Sequence, residues 1–122
     1  MLEWLLQTSA GARIEKRIYS RNESLHAPHL LDVEVAQALR RLAREGTVPA
    51  LRAEEAVEDL EDLPITRYPH YVFLPRIWQL LHNLTTYDAI YVALAEQLGA
   101  TLITRDSRLA SAPGHNAAVE VF

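Results

Sequence analysis

Asp88 and Asp106 are placed where two carboxylates can share a cation. The run from Leu84 to Ala110 reads as a helix beginning at Thr86, a glycine stop at Gly99, a short apolar strand over Thr101–Thr104, and then Asp106. Asp88 falls in the first turn of that helix and Asp106 just past the end of the strand. In a parallel α/β sheet, ligands collect outside the carboxyl ends of the strands. Helices start at that same edge, so Asp88 and Asp106 are expected to reach one site. Glu34 is a third candidate. On a helix whose buried stripe is Leu31, Val35, Ala38 and Leu42, it lies roughly 70° from the stripe centre, on the shoulder of the apolar face. On the later helix, Tyr87, Ile90, Tyr91, Leu94 and Leu98 centre the stripe, and Asp88 lies roughly 100° off it. Converging carboxylates repel, and one takes up a proton unless a cation sits between them. Hard oxygen ligands of this type select Mg²⁺ or Mn²⁺ over zinc. An ion so held activates water and stabilises charge developing on a phosphate.

Each acid also has a plainer reading. Thr85-x-x-Asp88 is a helix-capping pattern at an end that favours negative charge. Asp106 suits an Asx-turn that starts the next helical turn. Glu34 suits a surface pair with Arg41 or its neighbours. His26 and His29 lie across a strand-to-helix break, and His70, His82 and His115 are scattered, so a three-histidine zinc site is not expected. The four glycines, Gly11, Gly46, Gly99 and Gly114, are isolated and make no phosphate loop. No nucleophile-elbow motif supports a serine triad.

The elements that must position these acids alternate along the chain. Residues 2–7 read as part of a short helix, and Ser9 caps a second over residues 10–22. A brief strand fits Leu25–Ala27. The clearest long helix covers residues 29–45 and stops at Gly46. Val48–Leu60 is a further helix with Thr47 as its cap and Pro49 in its first turn. Leu63–Tyr68 reads as a strand, and His70–Leu81 as a helix that Pro75 starts, kinks or divides. After residues 86–98 and 101–104 come a helical turn at 107–111, a Pro113-Gly114 turn and a last strand, Ala118–Phe122. Interleaved helices and strands with short loops predict an α/β fold, a mostly parallel sheet flanked by helices.

Composition narrows the class. A chain of 122 residues builds one core. No run approaches the roughly 20 apolar residues of a membrane span, and the chain opens with no basic region before an apolar stretch. With no cysteine, disulfide and thiolate chemistry are excluded, and the chain reads as cytoplasmic. The net charge of −4 argues against a general polyanion-coating protein. Charge is nevertheless segregated: eight of twelve basic residues lie within 13–52, and residues 54–62 carry six acids, most simply a solvated helix face.

Three segments together resemble the PIN domain, and more closely its VapC-type toxin ribonucleases. They are Ala27-Pro28-His29-Leu30-Leu31-Asp32-Val33-Glu34-Val35-Ala36-Gln37-Ala38-Leu39, the run from Leu84 through Asp88 to Gly99, and Leu102-Ile103-Thr104-Arg105-Asp106 with Leu109. The resemblance covers essentially the whole chain as a single PIN-like domain, 1–122, in a three-layer fold. It implies that Glu34, Asp88 and Asp106 are three of four acids that hold Mg²⁺ or Mn²⁺, with Thr104 or Ser107 a lesser polar contributor. It implies endoribonuclease activity, a homodimer and a neutralising VapB-type antitoxin, with no membrane partner. Arg105, Arg108, Arg40 and Arg41 are candidates to meet the RNA backbone. The family's first acid closes an N-terminal strand ahead of a helix like Leu2-Glu3-Trp4-Leu5-Leu6. Here Met1 stands inside that helix, so the chain is expected to be N-terminally truncated, without that strand and acid. The alternative is an inactive PIN-like binding or assembly module. An unrelated small α/β ligand-binding protein is a third reading.

Overall fold

The computed structural model describes residues 12, 13, 15–17 and 24–122. Helix 2–7, the Ser9 cap and Trp4 lie outside the described residues. Of the helix expected over 10–22, residues 12, 13 and 15–17 are helical. The chain divides into two compact units, Met1–Thr66 and Arg67–Phe122.

In the first unit, strand β1 (Leu25–Pro28) leads into helix α1 (Leu30–Arg44), followed by helix α2 (Ala50–Asp62). The two helices form a small core. Val35 and Leu39 of α1 meet Ala53, Ala56 and Leu60 of α2, and Leu31, Ala43, Val48, Val57, Leu63 and Ile65 pack around them. The spacings 35/39 and 53/56/60 are those of one helical face, and the small alanines let the two backbones come close. Gly46, at φ 76°, closes α1. Its N–H reaches Ala43 O at 3.2 Å and that of Thr47 reaches Leu42 O at 3.0 Å, the paired bonds of a Schellman ending. That ending corrects the expected cap of α2. Thr47 is spent on closing α1, so α2 starts at Ala50 with Pro49 as its flanking residue and no side-chain cap. All six acids of residues 54–62 are exposed, as a solvated face requires, and Arg52 lies 3.7 Å from Glu55 and 3.6 Å from Asp59. Strand β2 (Ile65–Tyr68) pairs with β1 in a two-stranded sheet.

In the second unit Pro75 divides the expected 70–81 helix. A 3₁₀ turn at Tyr71–Phe73 precedes helix α3 (Leu74–Leu80), with the proline in the first turn, where its missing N–H costs no hydrogen bond. Helix α4 spans Thr86–Leu98, β3 Thr101–Thr104, α5 Ser107–Ser111 and β4 Ala118–Val121. Strands β3 and β4 are parallel, Thr101 opposite Ala118 and Thr104 opposite Val121. The Phe122 N–H continues the ladder to Thr104 O at 2.9 Å. Ala89, Ile90, Val92, Ala93, Leu94 and Ala95 of α4 are all buried. The helix is thus buried nearly all round at its middle; of the expected stripe Ile90 and Leu94 are buried and Tyr91 partly so, while its two ends are exposed. Tyr87 is 63% exposed and Leu98 38%.

Candidate carboxylate site

Asp88 owes its position to a cap that it does not itself make. Thr85, in extended backbone, accepts the Asp88 N–H on its side-chain oxygen at 3.2 Å, which fixes the start of α4. At the other end Gly99 adopts the left-handed conformation, φ 60°, and its N–H and that of Ala100 close onto Glu96 O and Ala95 O. The reciprocal half of a capping box is not formed. Among the described residues the Asp88 carboxylate accepts no hydrogen bond, although the residue is half-buried.

Asp106 stands where β3 ends and α5 begins. Its N–H donates to Thr104 Oγ1 at 3.0 Å, and its Oδ1 accepts the Arg108 N–H at 3.0 Å, so the Asx-type cap anticipated for it is present. Arg108 then forks back onto the same group. Nε meets Oδ1 at 3.0 Å and Nη2 meets Oδ2 at 2.8 Å, bidentate geometry with charge on both sides. The Arg108 bonds, side chain first and then backbone N–H, hold the Asp106 carboxyl below the usual carboxylate range. The guanidinium is raised in turn by Asp106, and to a lesser degree by the charge of Asp88. Arg108 thus pairs directly with Asp106 and feels the charge of Asp88 only weakly. Ser107 and Arg105 flank Asp106, both exposed.

Glu34 belongs to the first unit. It lies on α1 directly before buried Val35 and is exposed, so the shoulder position expected for it is corrected to the solvent side. Its neighbour Val33 is also out, at 67%, because α2 packs against the Val35–Leu39 side of α1. Arg40 and Arg41 of the same helix are exposed. Among the described residues no group of three or more His, Asp or Glu stands together in a way that would hold a metal ion.

A second cluster carries no local sequence signal. Arg76 of α3 forks onto Glu96 of α4 with both bonds at 2.8 Å, and also donates to Gly114 O at 3.1 Å and Gln79 Oε1 at 3.1 Å. Glu96 Oε2 accepts the Asn116 N–H at 2.7 Å. His115 bridges Leu109 O, 2.8 Å from Nε2, and the Ala117 N–H, 3.2 Å from Nδ1, which makes Nε2 the protonated nitrogen. These bonds fasten the segment between α5 and β4, and they align the parallel partner of the strand that delivers Asp106. Arg76 and Glu96 also line a cavity of about 500 Å³ with Val72, Phe73, Pro75, Ala93, Gln97 and Asn116.

The comparisons with known proteins agree with one another. The family model described as PIN domain matches residues 1–114. Ribonuclease VapC1 of Mycobacterium tuberculosis is 50% identical over 93 residues, covering 73% of this chain and 68% of that protein. Ribonuclease VapC9 of the same organism is 47% identical over 87 residues, covering 71% and 68%. Ribonuclease VapC12, also from that organism, is 41% identical over 120 residues, covering 98% of this chain and 92% of its own length.

Proposed function

The chain belongs to the PIN domain family, in its VapC-type branch, and from that membership we propose that it is a metal-dependent endoribonuclease of toxin–antitoxin type. The observation that carries the reading is Asp88, partly buried in the first turn of α4 with a carboxylate that accepts no hydrogen bond among the described residues. Carboxylate oxygens, in a chain without cysteine, are the donor type that a hard divalent ion takes. Asp88 and Asp106 would hold Mg²⁺ or Mn²⁺, and Glu34 is assigned as a metal-binding acid from the family pattern alone. Such an ion supplies an activated water and charge stabilisation at the scissile phosphate.

The chain's own residues do the positioning. Thr85 fixes the turn that presents Asp88. Thr104 and the cap of α5 fix the backbone of Asp106. The exposed Arg40, Arg41 and Arg105 are suited to RNA phosphates, which are bound by charge without regard to sequence. The same reading makes residues 1–122 one working domain. It assigns a VapB-type antitoxin as the neutralising partner, a homodimer as the assembled form, and the cytoplasm, where its RNA is, as the place of action.

The alternative is an inactive PIN-like binding or assembly module. Incubating the chain with single-stranded RNA and Mg²⁺ or Mn²⁺, with and without chelator, separates the two. Cleavage that the chelator stops and Asp88→Asn abolishes supports the enzyme. RNA left intact in both metals, with a folded protein, supports the module.

A further inference from the structure

The cation that faces Asp106 is a side chain of the protein itself. Arg108 places three donors on one carboxylate: its backbone N–H and Nε on Oδ1, both at 3.0 Å, and Nη2 on Oδ2 at 2.8 Å. A carboxylate offers about four lone-pair positions, so little of Asp106 remains for a second cation while the fork is closed. The two partners are unequally anchored. The Arg108 side chain is 86% exposed and that of Asp106 32%. Asp106 is tied to the fold through its backbone and Thr104, whereas among the described residues the guanidinium hydrogen-bonds to Asp106 and feels Asp88 only through space. An exposed ion pair is weak, because water solvates both partners when it opens. The fork can thus swing into solvent without disturbing α5, whose cap uses the Arg108 backbone N–H and not its side chain.

We propose that Arg108 is a built-in competitor for the Asp106 carboxylate, so that a divalent ion binds by displacing the guanidinium and Arg108 sets the affinity of the site. The inference rests on the reading of Asp106 as a metal-holding residue. It differs from a simple charge effect in that it depends on the fork. Lysine keeps the charge but presents a point ammonium that cannot engage both oxygens in parallel. Arg105, on the other side of Asp106, carries the same charge and serves as the control.

The test is calorimetric titration of the full chain with Mn²⁺ in the absence of RNA. Arg108→Gln is expected to tighten Mn²⁺ binding by about two- to fivefold, as loss of a competing surface pair would. Arg108→Lys is expected to fall between it and the unmodified chain, Arg105→Gln to change binding less than Arg108→Gln does, and Asp106→Asn to weaken it. Unchanged or weaker binding in Arg108→Gln, with Asp106→Asn still impaired, overturns the competition and leaves the metal reading standing. Equal tightening by Arg105→Gln also overturns it, since charge alone would then be the cause. Full Mn²⁺ affinity in Asp106→Asn, or no Mn²⁺ binding by any of these chains, overturns the metal reading and the competition together.

Discussion

Arg76 on Glu96 and Arg108 on Asp106 are the same chemical pair, an arginine forked onto a carboxylate, and they serve opposite ends. Arg76–Glu96 joins two helices and, through Gly114 O and the Asn116 N–H, the segment leading to β4. Its side chains are 33% and 12% exposed. Arg108–Asp106 joins residues two apart in one turn, and its arginine is almost fully in water. Bond lengths do not distinguish them, since both have a 2.8 Å contact. What differs is how much else is tied to the pair and how far water is excluded. These determine whether breaking it loosens the fold or only frees a side chain. The first pair holds the frame, and the second lies at the site where chemistry is proposed.

The largest effect expected from this contrast is on cleavage. Asp106→Asn should lower metal-dependent RNA cleavage by about a hundredfold or more, beyond what loss of a merely orienting group costs. The amide still caps α5, so the thermal midpoint should barely move. Glu96→Gln should do the reverse, leaving the carboxylates in place while weakening the frame. Leaving Arg76 facing a neutral amide should cost about 1–3 kcal/mol of stability, read as a drop of several degrees in Tm. A Glu96→Gln protein as stable as the unmodified chain would break the comparison. So would an Asp106→Asn protein that loses stability along with activity.

Acid should sharpen it further. The Arg76 bond, the Asn116 N–H and the nearby charges hold the Glu96 carboxyl below its ordinary value of 4.5. A group depressed in the folded state contributes stability above its unfolded pKa and loses that contribution as pH falls through the folded value. The stability gap between the unmodified chain and Glu96→Gln should therefore be flat above about pH 5 and narrow below 4.5. Denaturant titrations at several pH values measure it directly. A gap that widens in acid would contradict the assigned pairing.

The sequence exposed some of this contrast and concealed the rest, for physical reasons. The bounds of α4, β3 and α5 are those expected, because Thr85, Gly99 and Asp106 act within one turn of their own positions. Asp88 and Asp106 were legible by the same logic, one at a helix start and one at a strand exit. The start of α2 differs from the expected one because Thr47 carries a capping side chain but uses its backbone to end α1. An idealised wheel centred on four apolar residues puts Glu34 on the shoulder, whereas among the described residues α2 packs on the Val35–Leu39 side and Glu34 is exposed. Arg76 and Glu96 lie on different helices, and no periodicity connects them. The Arg108 fork was hidden for a different reason. Residues two apart do not face each other on a helix, and only the extended backbone of Asp106, at φ −98° and ψ 104°, turns its carboxylate towards them.

The smallest expected effect tests the releasable pair most directly. Arg108→Gln removes a fork from a guanidinium that water already surrounds, and the backbone N–H that caps α5 remains. Its Tm should stay within about 2 °C of the unmodified chain. Arg76→Gln, the same substitution at the other fork, removes bonds to Glu96, Gln79 and Gly114 O at once and leaves a carboxylate that is 12% exposed without its counter-charge. Thermal melts of the two variants side by side compare identical chemical changes at two degrees of anchoring. Equal losses would mean that burial and connectivity do not separate the pairs, and Arg108 would then be a structural residue like Arg76. A loss confined to Arg76→Gln leaves Arg108 free to act on the carboxylates without supporting the fold.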